Sequence, residues 1–382
     1  MPIDPEQLRA TAARAADRLL TYPWRVWFWG DSIGLEGLLD AAAITGDAKY
    51  SGYVHGLLKA WIAREDARSE FDYTAPGVAL LRVYAQTRDP ALLDAARRHA
   101  DYLAGFRTSA RGAFVRYEDA AFELPPVLPG EEPHRSARGV EDGGPCVFVD
   151  SVHFDGPFFA KLYAVTGEQR YRELALANIC PQVELLFDPA ERLFHHFWIE
   201  RARKPNGILW ARGNGWGLLG IVSTLEAIGD GGARTEGLRT VLASGIERVA
   251  GLQDGGGAWH TILNDPASYI ESSTAAFFVD VICRAGRLGL ISTADYRSLL
   301  GSAMRFLLQH VRADGALDGV SYETFPSTRP EHYRGMPRGA VVPWGQGPLL
   351  AAIRSYLDAF GKPAGGVRYH TEIDEGLPHA IR

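Results

Sequence analysis

The residues best placed to do chemistry lie near the middle of the chain. Phe148-Val-Asp150-Ser-Val-His153-Phe-Asp155-Gly-Pro-Phe-Phe leads into a helical pattern. An aspartate before a helix commonly caps it, and Asp155 is expected to do so. Asp150 differs because aromatic side chains flank it. A carboxyl against aromatic faces loses hydration, so its pKa rises and it can hold a proton for delivery as a general acid. A second signal is Trp210-Ala-Arg212-Gly-Asn-Gly-Trp216. Indole faces stack on the apolar faces of sugar rings, and a guanidinium fork matches a carboxylate. The plainer alternative is a structural arginine stacked on tryptophan in a tight turn.

Leu193-Phe-His195-His196-Phe-Trp198 places adjacent imidazoles among aromatics. Neighbouring side chains diverge in any regular structure, so at most one faces a site, and a metal pair would want the i, i+4 spacing. Trp24, Trp27 and Trp29 with Asp31 open a helix, as a sugar platform or as packing at its entrance. Asp72, in Phe71-Asp-Tyr-Thr-Ala-Pro-Gly77, precedes another helix and reads as a cap. Neither a P-loop, nor a Rossmann fingerprint, nor Gly-x-Ser-x-Gly, nor His-Glu-x-x-His occurs.

The elements that must position these groups are helices. Leu8, Ala12, Ala15 and Leu19 share one face, as do Leu35, Leu38, Leu39, Ala42 and Ala43. Phe158, Leu162 and Val165 repeat the pattern, and so do Leu349, Leu350, Ile353, Tyr356, Leu357 and Phe360. Alternating runs are scarce, which leaves at most short strands in loops. Three turns share one design: Ala43-Ile-Thr-Gly-Asp-Ala-Lys-Tyr50, Ala85-Gln-Thr-Arg-Asp-Pro-Ala-Leu92 and Ala164-Val-Thr-Gly-Glu-Gln-Arg-Tyr171. Each ends one helix and caps the next. They recur at about 40 residues or twice that, which marks a repeated helical hairpin, and the chain has room for six or seven. Such periodicity fits an open solenoid and a closed toroid equally. A Gly-, Pro- and charge-rich insertion at about 107–149, an irregular stretch from Asp314 to Gln346, and a loop-like tail after 361 break the rhythm. Irregular segments this long often wall a site.

Composition narrows the classes. The 382 residues are 46% hydrophobic, 11% aromatic and 23% charged, with a formal net charge of -6. That is ordinary globular usage, and the length suits one large closed domain spanning 1–382. Without a basic stripe, nucleic acid is not an expected partner. No apolar run of about 18 residues suggests a membrane span, and the start lacks a secretory pattern. Three scattered cysteines without ligand spacing fit a reducing, cytoplasmic setting and no structural metal.

Read together, Val149-Asp-Ser-Val-His-Phe-Asp-Gly-Pro-Phe-Phe-Ala-Lys-Leu-Tyr163, His196-Phe-Trp-Ile-Glu200 and Trp210-Ala-Arg-Gly-Asn-Gly-Trp216 resemble glycoside hydrolase family 105. Ser268-Tyr-Ile-Glu-Ser-Ser-Thr-Ala-Ala-Phe-Phe278 and Gly345-Gln-Gly347 continue the resemblance, which runs in order from about Trp29 to Leu350. These are the unsaturated rhamnogalacturonyl hydrolases, related to the family 88 unsaturated glucuronyl hydrolases. The resemblance implies an all-α (α/α)6 barrel. It implies Asp150 as general acid/base and Asp72 as a second acidic residue, with His196, Trp210, Arg212 and Trp216 lining the sugar pocket. Trp29, Asp31 and His153 are further expected contacts. The family's tryptophan two residues before the acid is Phe148 here. Its His-Gly-Trp is His196-Phe-Trp198, and where it has an upstream histidine the nearest counterpart is Arg116.

The implied substrate is a short oligosaccharide ending in a 4,5-unsaturated uronic acid. Protonation of carbon 4 by Asp150 and attack of water at carbon 5 would release the sugar, with no metal or organic cofactor. Three alternatives stand beside this: a histidine-based epimerase using His153, His196 and His260, an inverting glycosidase on saturated uronides, and a non-catalytic sugar-binding toroid.

Overall fold

The computed structural model describes residues 3–24, 29–64, 76–115, 145–229, 232–324 and 326–361. After α1 (Pro5–Leu20), buried helices alternate with outer ones: α2 (Trp29–Thr45) and α3 (Ala48–Arg64), α4 (Gly77–Thr87) and α5 (Pro90–Ala104), α6 (Asp150–Thr166) and α7 (Gln169–Leu186). Next come α8 (Ala211–Ile228) and α9 (Ala233–Ala250), then α10 (Ser272–Arg287) and α11 (Arg297–His310). A short α12 (Pro330–Arg334) precedes α13 (Pro343–Phe360), which packs on α1. Each inner helix meets the next, α2 on α4, α6, α8, α10 and α13 in turn, and α13 returns to α2. In an open solenoid the first and last repeats never touch. The ring is closed, an (α/α)6 barrel.

The three repeated turns are the hairpin bends. Thr45, Thr87 and Thr166 each end an inner helix and donate their hydroxyls to the carbonyls of Ala41, Val83 and Leu162. Asp89 then caps α5 by accepting from the Ala91 amide. The outer helix α1 buries the face predicted for it, Leu8, Ala12, Ala15 and Leu19, together with Thr11 and Ala16 beside it. The inner helix α2 is buried around most of its circumference, so it shows little amphipathic contrast. Two glycines permit their close approach. A Cβ on Gly347 would lie 2.2 Å from the Ile33 carbonyl oxygen, and one on Gly220 would lie 2.2 Å from that of Val152.

Five short strands sit in the connections: β1 (Cys146–Phe148), β2 (Phe187–Asp188), β3 (Leu193–Phe194), β4 (Phe197–Ile199) and β5 (Lys204–Pro205). β1, β4 and β5 form one antiparallel sheet, with Phe148 opposite Phe197, and β2 pairs with β3. The 107–149 segment is described only at its ends, where Thr108 bridges Phe114 and β1 begins. Its interior, and the tail after 361, lie outside the described residues. In the stretch from Asp314 to Gln346, α13 already starts at Pro343, because proline fits a helix's first turn.

The C-terminal halves of the inner helices are tied by charge. Asp40 accepts from Arg82 and Arg354 at 2.6 and 2.8 Å, and Arg284 joins Glu226 and Asp280 at 2.5 and 3.2 Å. Aromatic and titratable side chains gather instead at the other end, where the inner helices begin.

Candidate active site

Strand pairing brings Asp150 and His196 together. β1 runs into α6 and His196 immediately precedes β4, so the register Phe148↔Phe197 sets His196 beside Val149. The Val149 amide donates to the His196 carbonyl at 2.9 Å. Across this junction His196 Nε2 lies 3.7 Å from Asp150 Oδ2, beyond hydrogen-bond length but within strong electrostatic reach. The Asp150 side chain retains 19% exposure. Burial pushes its carboxyl up to about 7, against its own helix amide and Arg212, both of which favour the anion. Burial, aided by Arg212, brings His196 down to about 3, so its imidazole is neutral.

The heptad 210–216 builds the adjoining wall. Trp210 caps the start of α8 and packs 4.4 Å, centroid to centroid, from His196. Asn214 locks this turn to β3, accepting from the Phe194 amide and donating to the Phe194 and Trp210 carbonyls. Gly213 leaves room for Trp210 and Val149, and Gly215 for Phe277. Arg212 is buried and stacks on Trp210, with its guanidinium carbon 4.9 Å from the ring centre. Its fork is already engaged. Nη1 donates to Glu271 at 3.2 Å and to Ser321, while Nη2 donates to the Tyr322 carbonyl and Thr324. The guanidinium therefore reaches a ligand here through its charge rather than through an open bidentate clamp.

Other singled-out residues fall into layers. Trp29 stays half-buried at the mouth, 4.8 Å from Trp344 and 6.3 Å from Phe154. Trp216 is wholly buried against Phe277, Phe154 and His153, which places it under the site rather than on its surface. His153, one turn beyond Asp150, is held neutral by burial, with its pKa down to about 3. Its Nε2 lies 3.9 Å from Glu36, a carboxyl that burial pushes up to about 7. Asp31 is buried in the first turn of α2. His195 turns away toward Asp188, 3.4 Å off, and His260 meets the Ser268 carbonyl. Trp27, Asp72 and Arg116 lie outside the described residues. Asp155 is no cap: α6 starts at Asp150, and Asp155 is buried within it, 3.5 Å from the Gln182 amide.

Several site residues escaped the sequence reading. Glu271 is buried, caps α10 through the Thr274 amide, and takes the Arg212 charge. Its signal was local, an acidic residue just ahead of Ser-Ser-Thr at a helix start. Tyr333, from α12, hydrogen-bonds His196 Nδ1 at 2.6 Å, and Asn206 supports it. Nothing local marks Tyr333, because its partner is 137 residues away in sequence. Among the described residues, no group of three or more His, Cys, Asp or Glu side chains is arranged to hold a metal ion.

A carboxyl that keeps its proton near neutrality, beside a neutral imidazole at the mouth of a helical toroid, suits acid catalysis on a sugar. The chain belongs to Glycosyl Hydrolase Family 88, whose model matches residues 6–360. It is 24% identical over 359 residues to the unsaturated rhamnogalacturonyl hydrolase YesR of Bacillus subtilis (strain 168), covering 93% of this chain and 96% of that protein. A possible family 105 member from Klebsiella pneumoniae superposes with a TM-score of 0.78 at 23% identity, over 94% of this chain and 95% of that one. The unsaturated glucuronyl hydrolase of Bacillus sp. GL1 superposes with a TM-score of 0.66 at 17% identity, over 92% and 96%. Those two likenesses show the shared barrel. Among the described residues, no helix is long and apolar enough to cross a membrane.

Proposed function

We propose that this chain removes a terminal 4,5-unsaturated uronic acid from short, lyase-generated oligosaccharides by hydrating the ring double bond. The observation that carries the reading is the Asp150 carboxyl, raised to about 7 and next to His196 at the start of α6. Such an acid is substantially protonated at neutral pH, whereas an ordinary aspartate is not. The family relatives named above act, by their names, on unsaturated rhamnogalacturonyl and glucuronyl groups.

The chemistry follows from the substrate's enol ether. Asp150 gives its proton to carbon 4, and the ring oxygen stabilises the cation left at carbon 5. Water adds to carbon 5 while the new Asp150 carboxylate takes up a proton from it. The hemiketal opens to a ketone, and the hemiacetal exposed at carbon 1 expels the remaining saccharide as an alcohol. Asp150 ends the cycle protonated, so the reaction consumes only water.

The remaining assignments are proposals of the same rank. Trp29 and Trp210 would offer faces to the sugar, with Asp31 and His153 behind them and Trp216 as support. Arg212, together with the positive ends of the inner helices, would draw the uronate carboxylate inward. Asp72 would be the second acidic residue and Arg116 a contact on the leaving-group side. A histidine-based epimerase is disfavoured, because burial keeps both His153 and His196 uncharged near neutrality. We read 1–382 as a single catalytic domain. Three cysteines far apart in the sequence and without ligand spacing, Cys146, Cys180 and Cys283, support a cytoplasmic location.

The test is a panel of lyase-generated disaccharides followed by ultraviolet absorbance. A hydrolase of this kind abolishes the signal of the conjugated double bond as sugar is released. Release from saturated uronides, with that absorbance untouched, would refute the reading.

A further inference from the structure

His196 can press on Asp150 in two ways, depending on which ring nitrogen carries its single proton. The structure contains what is needed to decide. Asn206 Oδ1 faces the amides of Phe197 and Ile208, both at 3.4 Å, so the amide group is oriented with Nδ2 toward the other side. There Nδ2 donates to the Ser327 carbonyl at 2.9 Å and to the Tyr333 hydroxyl oxygen at 3.2 Å. Tyr333 is buried and has one proton to give, either to Ser327 at 3.2 Å or to His196 Nδ1 at 2.6 Å. Ser327 is already served by Asn206. The 2.6 Å contact fits a hydroxyl donor and is short for an imidazole N–H.

We infer that Asn206 and Tyr333 hold His196 as the tautomer with its proton on Nε2, aimed at Asp150, which makes Tyr333 a positioning residue for the acid. This deepens the proposed function and rests on it. Before proton transfer Asp150 is neutral and gains little from the N–H 3.7 Å away. As its proton leaves for carbon 4, negative charge grows on the carboxylate and the waiting N–H stabilises it, a gain realised in the transition state. Burial keeps the phenol of Tyr333 protonated, with its pKa pushed well up, so the donor persists across the working range of pH. Among the described residues, the charged group that acts on both members of the pair is Arg212 on α8, joined to Glu271; His153, one turn along α6, packs instead on Phe154 and Trp216 and lies near Glu36. None of these contacts Nδ1 in place of Tyr333.

The test has two arms. In the ¹⁵N-histidine NMR spectrum of the wild-type protein at neutral pH, His196 should show Nε2 protonated and Nδ1 bare, with its signals identified by their loss in His196→Gln. A proton on Nδ1 would overturn the inference. Tyr333→Phe keeps the ring and removes the hydroxyl. Its kcat should fall roughly ten- to a hundredfold with KM within about twofold. With the N–H no longer fixed toward Asp150, the carboxyl should hold its proton to higher pH, moving the basic limb of the rate profile upward. An unchanged pH profile, or a loss confined to KM, would also overturn it. If the wild-type enzyme were inactive on every unsaturated uronide, the hydrolase reading would fail, and the tautomer would stand or fall on the NMR result alone.

Discussion

Replacing Asp150 by Asn should cripple the enzyme and, above neutral pH, strengthen the fold. In the folded protein the carboxyl is raised from 3.8 to about 7, mainly by burial. The folded state therefore binds this proton more tightly than the unfolded chain does. Stability from this group is fully present below about pH 4 and is lost as pH rises, until the folded carboxyl ionises near 7. At about 1.4 kcal/mol per pH unit, the full loss is about 4 kcal/mol. With part of the side chain in contact with solvent, about 2–4 kcal/mol is expected. Asparagine never ionises and escapes the loss. About a third of the loss has already occurred by pH 5, so urea unfolding of both proteins at pH 5 and pH 8 should show the variant's lead widening by about 1–3 kcal/mol. Glu36 gives a similar slope to both, so the difference between them isolates Asp150. In the same variant, kcat should drop by about 10²–10⁴. A stability gap that does not change with pH would show that Asp150 is an ordinary surface carboxylate and would remove the physical basis of its role.

Arg212→Ala should cost about 3–5 kcal/mol in urea unfolding, because it strands the buried Glu271 carboxylate. A variant as stable as wild type would mean that the pair is dispensable. Gly220→Ala forces a methyl to within 2.2 Å of the Val152 carbonyl oxygen. It should destabilise by about 1–3 kcal/mol or more, read as a lower thermal midpoint. Trp29→Ala removes a half-buried ring worth about 1–2 kcal/mol of apolar contact. If that ring supports the sugar, KM should rise roughly five- to thirtyfold with little change in kcat.

The legible part of this protein was its local grammar. Thr-Gly turns announced the hairpins, and the stripe on α1 announced an outer helix. Barrel closure was not local: it depends on α13 meeting α2, which no window of sequence contains, so it came from the resemblance. In the site, Trp210-Ala-Arg-Gly-Asn-Gly-Trp216 stood out because charge and indole rarely share a tight, glycine-rich turn. What that motif did not reveal is division of labour. Asn214 ties down a strand, the glycines make room for neighbouring side chains, and Arg212 is already held by Glu271, Ser321, Tyr322 and Thr324. The sequence favours Asp155 as the cap because aromatics flank Asp150, whereas the helix itself starts at Asp150 and carries Asp155 inside it. Tyr333 and Asn206 were invisible, since irregular segments carry no periodicity.

The most direct check on Asp150 as a proton donor to carbon 4 is the hydrogen it would leave behind. A lyase-generated disaccharide is cleaved in deuterium oxide, and the product is read by NMR at early times, before solvent exchange next to the ketone. The account predicts one deuterium at carbon 4 on a single face, and its absence when Asp150→Asn replaces the wild type. Sugar released with no deuterium at that carbon, or with both faces labelled equally from the outset, would contradict it.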